Sequence, residues 1–67
     1  MLSKKTQYAF RALVHLAENY GKDPVRISTI SIQQKIPLKF LEHILNDLKK
    51  ADLLESKKGK GGGYLLK

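Results

Sequence analysis

The sequence predicts a mainly α-helical domain closed by one small β-hairpin, in the order helix, helix, helix, hairpin. Three observations predict it. Apolar residues recur at helical spacing over 4–20 and, more sharply, over 38–50. The pair Ile36-Pro37 separates the second and third helices by a turn of about three residues, because the residue before proline is pushed out of the helical region. Beyond Ala51-Asp52, two short apolar runs flank a stretch rich in lysine and glycine that no helix tolerates.

Each element follows from its residues. Ser3 suits the N-cap of helix 4–20, where its hydroxyl can take a free backbone N–H. Phe10, Leu13, Val14 and Ala17 repeat at i, i+3, i+4, i+7 and mark the expected core face, widened by Ala9, Ala12 and Leu16. Lys4, Gln7, Arg11, His15, Glu18 and Lys22 fall on the opposite stripe, and Gly21 stops the helix. After a turn at 22–24, Val25-Arg26-Ile27 alternates like a very short strand. Ser28 is the expected N-cap of a short helix over 29–35. In the third helix, 38–50, Leu38, Leu41, Ile44, Leu45 and Leu48 form the apolar face. Lys39, Glu42, His43, Asn46 and Lys49 form a continuous polar face opposite. Leu53, Leu54 and Ser56 suit a strand, 58–63 a loop, and Tyr64 to Leu66 a return strand.

This order is that of a winged helix-turn-helix, with the loop as its wing. The 67 residues make one domain, 1–67, with no room for a second and no internal repeat. A domain of this size buries only about 60% of the surface of its unfolded chain, so the core is thin. Cysteine is absent, so no disulfide staples the fold and no thiolate holds a metal or cluster. No segment is long and apolar enough to span a membrane and the N-terminus does not resemble a signal peptide, so a cytoplasmic protein without a membrane partner is expected.

Thirteen Lys and Arg against six Asp and Glu give a net charge of +7. That balance favours anionic partners, through counterion release on nucleic acid or attraction to anionic lipid. The closing stretch SKKGKGGGYLLK concentrates the charge. A wing lying on a phosphate backbone needs positive charge and close main-chain approach. Lys57, Lys58 and Lys60 supply the first; the glycines, Gly59 among them, permit the second. Tyr64 and Leu66 would anchor the wing to the core. A nucleotide-binding loop is excluded, since GKGGG lacks the G-x-x-x-x-G-K-[ST] spacing and no helix follows it. A solvated, disordered tail fits the glycines and lysines but not the Tyr-Leu-Leu that follows them.

KTQYAFRALVHLA and ISTISIQQKIPLKFLEHILNDLKKADLLESKKGKGGGYLL resemble the Rrf-two family of bacterial transcription regulators. Its members include an iron–sulfur cluster regulator and a nitric-oxide-sensitive repressor. The matching marks are Tyr8-Ala9, Ile36, Phe40-Leu41-Glu42, Leu53, Gly59 and the run Gly61 to Leu66, so the resemblance covers essentially the whole chain. It implies a dimeric repressor or activator, expected here as a repressor, on double-stranded DNA carrying a palindromic operator. The third helix, 38–50, would enter the major groove and the wing, 57–63, would reach the minor groove and backbone. Family base contacts fall on positions matching Lys39, Glu42 and Lys58. A carboxylate can accept from cytosine N4 and a lysine can bond guanine O6 and N7, while Lys58 would answer the negative potential of a narrow minor groove.

The departures are specific. Many family members carry three cysteines in a later segment that bind an iron–sulfur cluster, and a long helix that makes the homodimer; neither is in this sequence. No cofactor is therefore expected in this chain, and a cluster only in a longer parent protein. Lys35 stands where the family often has glycine, Lys60 where it often has proline, and Lys39 where it often has a small polar residue.

Several residues carry alternative readings. Glu42 could instead pair with Lys39 or another neighbour at i, i+3 or i, i+4 on the helix surface. His43 shares the polar face and could approach the groove or remain solvated. Tyr8 could bond a phosphate through its hydroxyl, or only pack. Lys4 and Lys5 sit at the positive end of the first helix, a poor place for cations unless an anion docks there. Two histidines without cysteines or clustered carboxylates make no metal site, and without a nucleophile–base pair an enzyme is not expected. The alternatives to sequence-specific DNA reading are a non-specific DNA-binding module and a protein-interaction module; the second would need an apolar exposed face on helix 38–50.

Overall fold

Ser3 opens the first helix as its chemistry demands. In the computed structural model, which describes residues 3–67, its backbone is extended and its side-chain oxygen accepts the Thr6 N–H at 3.1 Å. The hydroxyl in turn donates to the Thr6 Oγ1 at 3.0 Å. The elements then run α1 (Lys4–Glu18), α2 (Ile27–Gln34), α3 (Leu38–Lys50), β1 (Leu54–Lys57) and β2 (Gly63–Leu66). Helix α1 stops two residues short of the expected end. The Asn19 amide bonds the Leu16 carbonyl at 3.1 Å and its side chain donates to the His15 carbonyl at 2.8 Å, which occupies the last carbonyls and turns the chain toward Gly21.

The core face of α1 is not the one its spacing predicts. Ala12, His15 and Leu16 are buried, whereas Phe10 is 63% and Val14 43% exposed, and Ala17 lies outside as well. Apolar residues occupy more than half the circumference of this helix, so periodicity shows an apolar arc without fixing its centre. The sheet and the other helices settle the choice on the Ala12–Leu16 side, where a small residue lets them approach. His15, expected on the polar stripe, is 5% exposed and enters the core with its Nδ1 bonded to Gln34 Nε2 at 2.9 Å. A buried imidazole is tolerated because that polar atom is satisfied.

Helix α2 begins at Ile27, and its N-cap is Arg26 rather than Ser28. Val25 explains the shift. It forms a single antiparallel bridge with Tyr64, donating to the Tyr64 carbonyl at 2.9 Å and accepting its amide at 2.8 Å. That bridge holds the chain extended through Arg26, whose carbonyl takes the first helical bonds from Thr29 and Ile30. The expected short strand at 25–27 is thus one bridge, and Ile27 is already helical.

Both later helices end through left-handed residues. Lys35 follows α2 with φ 55° and ψ 50°, and the Ile36 amide reaches back to the Ser31 carbonyl at 3.0 Å. Asp52 follows α3 with φ 68°; its amide bonds the Lys49 carbonyl and the Leu53 amide the Leu48 carbonyl, each at 3.0 Å. The six-to-one bonds from Ile36 and Leu53 and the shorter one from Asp52 satisfy carbonyls that the helices leave free. Helix α3 matches its expected bounds. Leu41, Ile44 and Leu45 are buried and Leu48 half-buried, but Leu38 is 44% exposed.

The hairpin is a two-stranded antiparallel sheet pairing Leu54 with Leu66, Glu55 with Leu65, Ser56 with Tyr64 and Lys57 with Gly63. Leu54 is buried, while Leu53 lies exposed just before the strand. Tyr64 and Leu66 pack on the core cluster of Ala12, Leu16, Ile30, Ile36, Leu41, Leu45 and Leu54, as anchors of the wing should. Three helices and this hairpin make a winged helix-turn-helix.

Candidate nucleic-acid interface

Positions 39, 42, 43, 46 and 49 lie on one helical stripe, and in α3 all five side chains are exposed. Among the described residues the ion pairs are Lys5–Asp47, at 2.9 Å, and Lys67–Asp52. Glu42 therefore has no pairing cation, and the expected alternative of a Glu42–Lys39 pair does not form. The carboxylate and the Lys39 ammonium both stand free on a convex helix face. No side chain caps the N-terminus of α3, and its first turn contains no acid. Its leading amides point outward with the positive end of the helix dipole behind them.

Lys57, Lys58, Gly59 and Lys60 are exposed in the wing. The glycines there divide into two kinds. At Gly59 and Gly61, both with positive φ, a side chain would meet open space. Gly62 and Gly63 answer internal demands instead. A Cβ on Gly62 would lie 2.9 Å from the Gly59 carbonyl oxygen and still nearer that of Lys57; one on Gly63 would collide with the Val25 carbonyl. The Gly62 amide is already bonded to the Gly59 carbonyl at 3.0 Å. Close approach to a ligand thus explains at most the two glycines at the tip, and the others allow the hairpin to close and dock on residue 25.

Tyr8 is half-buried against the core, and its ring meets Phe40 edge-on, with centroids 5.4 Å apart and an interplanar angle of 86°. Lys4 Nζ lies 5.9 Å and the Arg11 guanidinium carbon 5.2 Å from the Tyr8 ring centroid. The structure thus brings Lys4 and Tyr8 of α1 beside the first turn of α3. It also adds Arg11, which sequence reasoning left as one polar-stripe residue. The available signal was the i, i+3 spacing of Tyr8 and Arg11. Lys5 pairs with Asp47 of α3 at 2.9 Å. Lys5, first by its hydrogen bond and then by its charge, holds the Asp47 carboxyl below the usual carboxylate range.

The profile of one protein family, Rrf2, described as an iron-dependent transcriptional regulator, matches residues 2–67. The chain belongs to the Rrf2 family. It is 43% identical over 65 residues to the HTH-type transcriptional regulator IscR of Sodalis glossinidius, covering 97% of this chain and 39% of that protein. Among solved structures, T. potens IscR superposes with a TM-score of 0.93 at 35% identity, covering 98% of this chain and 48% of that one. CymR, the global cysteine regulator of B. subtilis, gives a TM-score of 0.93 at 29% identity, with 98% and 51% covered. The chain thus spans roughly half or less of the length of these Rrf2 relatives.

Iron in the family description invites a test of fit. The sequence has no cysteine, and among the described residues no three His, Asp or Glu side chains come close enough to share a metal ion. His15 is turned into the core and bonded to Gln34. These residues do not fit an iron or iron–sulfur site. Among the described residues no helix is long and apolar enough to cross a membrane.

Proposed function

We propose that this chain is the DNA-binding winged helix of an Rrf2 transcription regulator, expected to repress, which acts in the cytoplasm as a homodimer on a palindromic operator through a segment outside these residues. Helix α3 lies in the major groove and the wing, 57–63, follows the minor groove and backbone. The observation that carries the reading is the unpaired polar face of α3 in a chain whose relatives are helix-turn-helix transcriptional regulators. Glu42 accepts from cytosine N4, and Lys39 donates to guanine or to a phosphate. Lys58 enters the minor groove, while Lys57 and Lys60 sit on phosphates beside the open tip at Gly59. Lys4 and the Tyr8 hydroxyl add backbone contacts near the start of α3, and His43 lies further along the reading face. Any iron–sulfur cluster would need ligands from outside this sequence, and nothing in the chain supports enzymatic chemistry.

The test is fluorescence anisotropy on labelled duplexes across a salt series, with wild type beside Lys58→Ala/Lys60→Ala and Glu42→Ala. Losing the Lys60 phosphate contact together with the Lys58 minor-groove cation lowers the slope of log K against log salt by about 0.9–1.8. Glu42→Ala should leave the slope alone and reduce discrimination by about 1–3 kcal/mol at the base pair it reads. Equal binding by all three chains would refute the wing and reading-face assignments. A Glu42→Ala chain that discriminates like wild type would remove Glu42 as a base reader, and a wild type that discriminates no duplex would leave the non-specific reading.

A further inference from the structure

Helix-turn-helix reading depends on the angle at which the second helix leaves the first. In this chain the intervening turn is held from outside, by α1. Gln34 is the last residue of α2, and α1 grips it twice. Arg11 Nη1 donates to its backbone carbonyl at 2.8 Å, and its side-chain amide meets the buried His15 Nδ1 at 2.9 Å. On the far side of the turn, Phe40 in the first turn of α3 rests against Tyr8. Tyr8, Arg11 and His15 stand at i, i+3 and i+7, one stripe along α1. Between the grips lies Lys35, a non-glycine residue in the left-handed region, which stays there only if its surroundings hold it.

Arg11 is the member that joins both sides. Its Nη1 bonds a carbonyl at the negative end of α2, and its central carbon lies over the ring that supports α3, 5.2 Å from the centroid. A lysine could supply the charge but not the wide planar group that bonds Gln34 while its centre lies over Tyr8. Arg11 is exposed, and one of its guanidinium nitrogens, Nη1, is engaged by the Gln34 carbonyl. We propose that Arg11 is a positioning residue for DNA reading, fixing the presentation of α3 by clamping the α2–α3 turn through Gln34 and Tyr8. The proposal rests on the DNA reading stated above.

The experiment compares wild type, Arg11→Lys and Arg11→Gln on two duplexes, one enriched by wild type from a random pool and one scrambled, over 50–200 mM salt. Circular dichroism confirms that each chain is folded at the assay temperature. Arg11→Lys should bind the scrambled duplex with wild-type affinity and slope, while its preference for the enriched duplex falls about tenfold. Arg11→Gln should lose the same preference with the slope still unchanged. Amide resonances of residues 34–40 should shift in both variants, and those of the wing should not.

A slope lowered by about 0.9 in Arg11→Gln, with Arg11→Lys like wild type, would make Arg11 a phosphate contact and overturn the proposal. Preferences equal to wild type in both variants would overturn it too, leaving Arg11 a purely structural tie. Were wild type to enrich no duplex, the DNA reading itself would fall and take this inference with it.

Discussion

Lys35 carries backbone strain that a glycine would relieve. Its φ of 55° places the Cβ against its own backbone, at a cost of about 1–2 kcal/mol. The position closes α2, where the residue beyond the helix end favours glycine. Part of the gain from Lys35→Gly is lost to the greater freedom of the unfolded chain. The net expectation is stabilisation by about 1 kcal/mol, or roughly 4–8 °C in Tm for a domain of this size, read by thermal circular dichroism. An unchanged or lower Tm would mean that Lys35 makes a compensating contact. Gly63 presents the opposite case. There an added methyl meets backbone, not a side chain that can swing aside, because the Val25 carbonyl stands in its path. Gly63→Ala should cost about 1–3 kcal/mol and weaken the bridge that seats the wing, seen as faster hydrogen exchange at the Val25 and Tyr64 amides.

At the scale of elements, the helices differ in how much of their packing their own residues disclose. Helix α3 is legible because its apolar residues form a narrow stripe with charge on both flanks, so one orientation alone buries them. Its bounds and reading face follow from that stripe. Helix α1 is not legible in the same way, since its apolar arc is too broad to have a single inward direction. The buried side depends on where Ile30, Leu45 and Leu54 arrive, and these are contacts of long sequence separation. The difference has a measurable consequence. Phe10→Ala should change stability by no more than about 0.5 kcal/mol, as for surface positions, whereas Leu45→Ala should cost about 2–5 kcal/mol. Comparable losses from both in urea unfolding would restore the face that periodicity suggests. The start of α2 was hidden for a related reason: Ser28 is a good cap by type, but the Val25–Tyr64 bridge, 39 residues apart in the chain, sets where the helix begins.

The Lys5–Asp47 pair ties α1 to α3, and its effect depends on pH with a definite sign. Folding lowers the Asp47 pKa below its ordinary 3.8. A carboxyl depressed on folding adds stability above its unfolded pKa and loses it as pH falls through the folded one. Asp47→Asn should therefore lower the urea midpoint slightly at pH 6, and the gap to wild type should narrow as the pH falls below the ordinary carboxylate pKa and through the lowered one. Both side chains are more than half exposed, so the gap should also shrink with added salt. A gap independent of pH would assign the effect to packing instead of charge.

For the whole molecule, charge and size lead in different directions. In the proposed reading, a net +7 on 67 residues draws the chain to DNA, while one α3 and one wing would cover a single half-site. Binding by one copy should accordingly be weak and strongly dependent on salt. Joining two copies in tandem would make the second contact intramolecular. Half-sites one helical turn apart are separated by about 34 Å, which a flexible Gly/Ser linker of on the order of 40 residues matches in r.m.s. length. On a duplex carrying both half-sites, the tandem chain should bind about 10²–10⁴-fold more tightly than the single chain. Scrambling one half-site should remove most of that gain while leaving the salt dependence of a single domain. A tandem chain that gains equally on intact and half-scrambled duplexes would be adding only charge, and the palindromic operator would be refuted. A tandem chain that gains on neither would mean that the two reading faces cannot engage one duplex together.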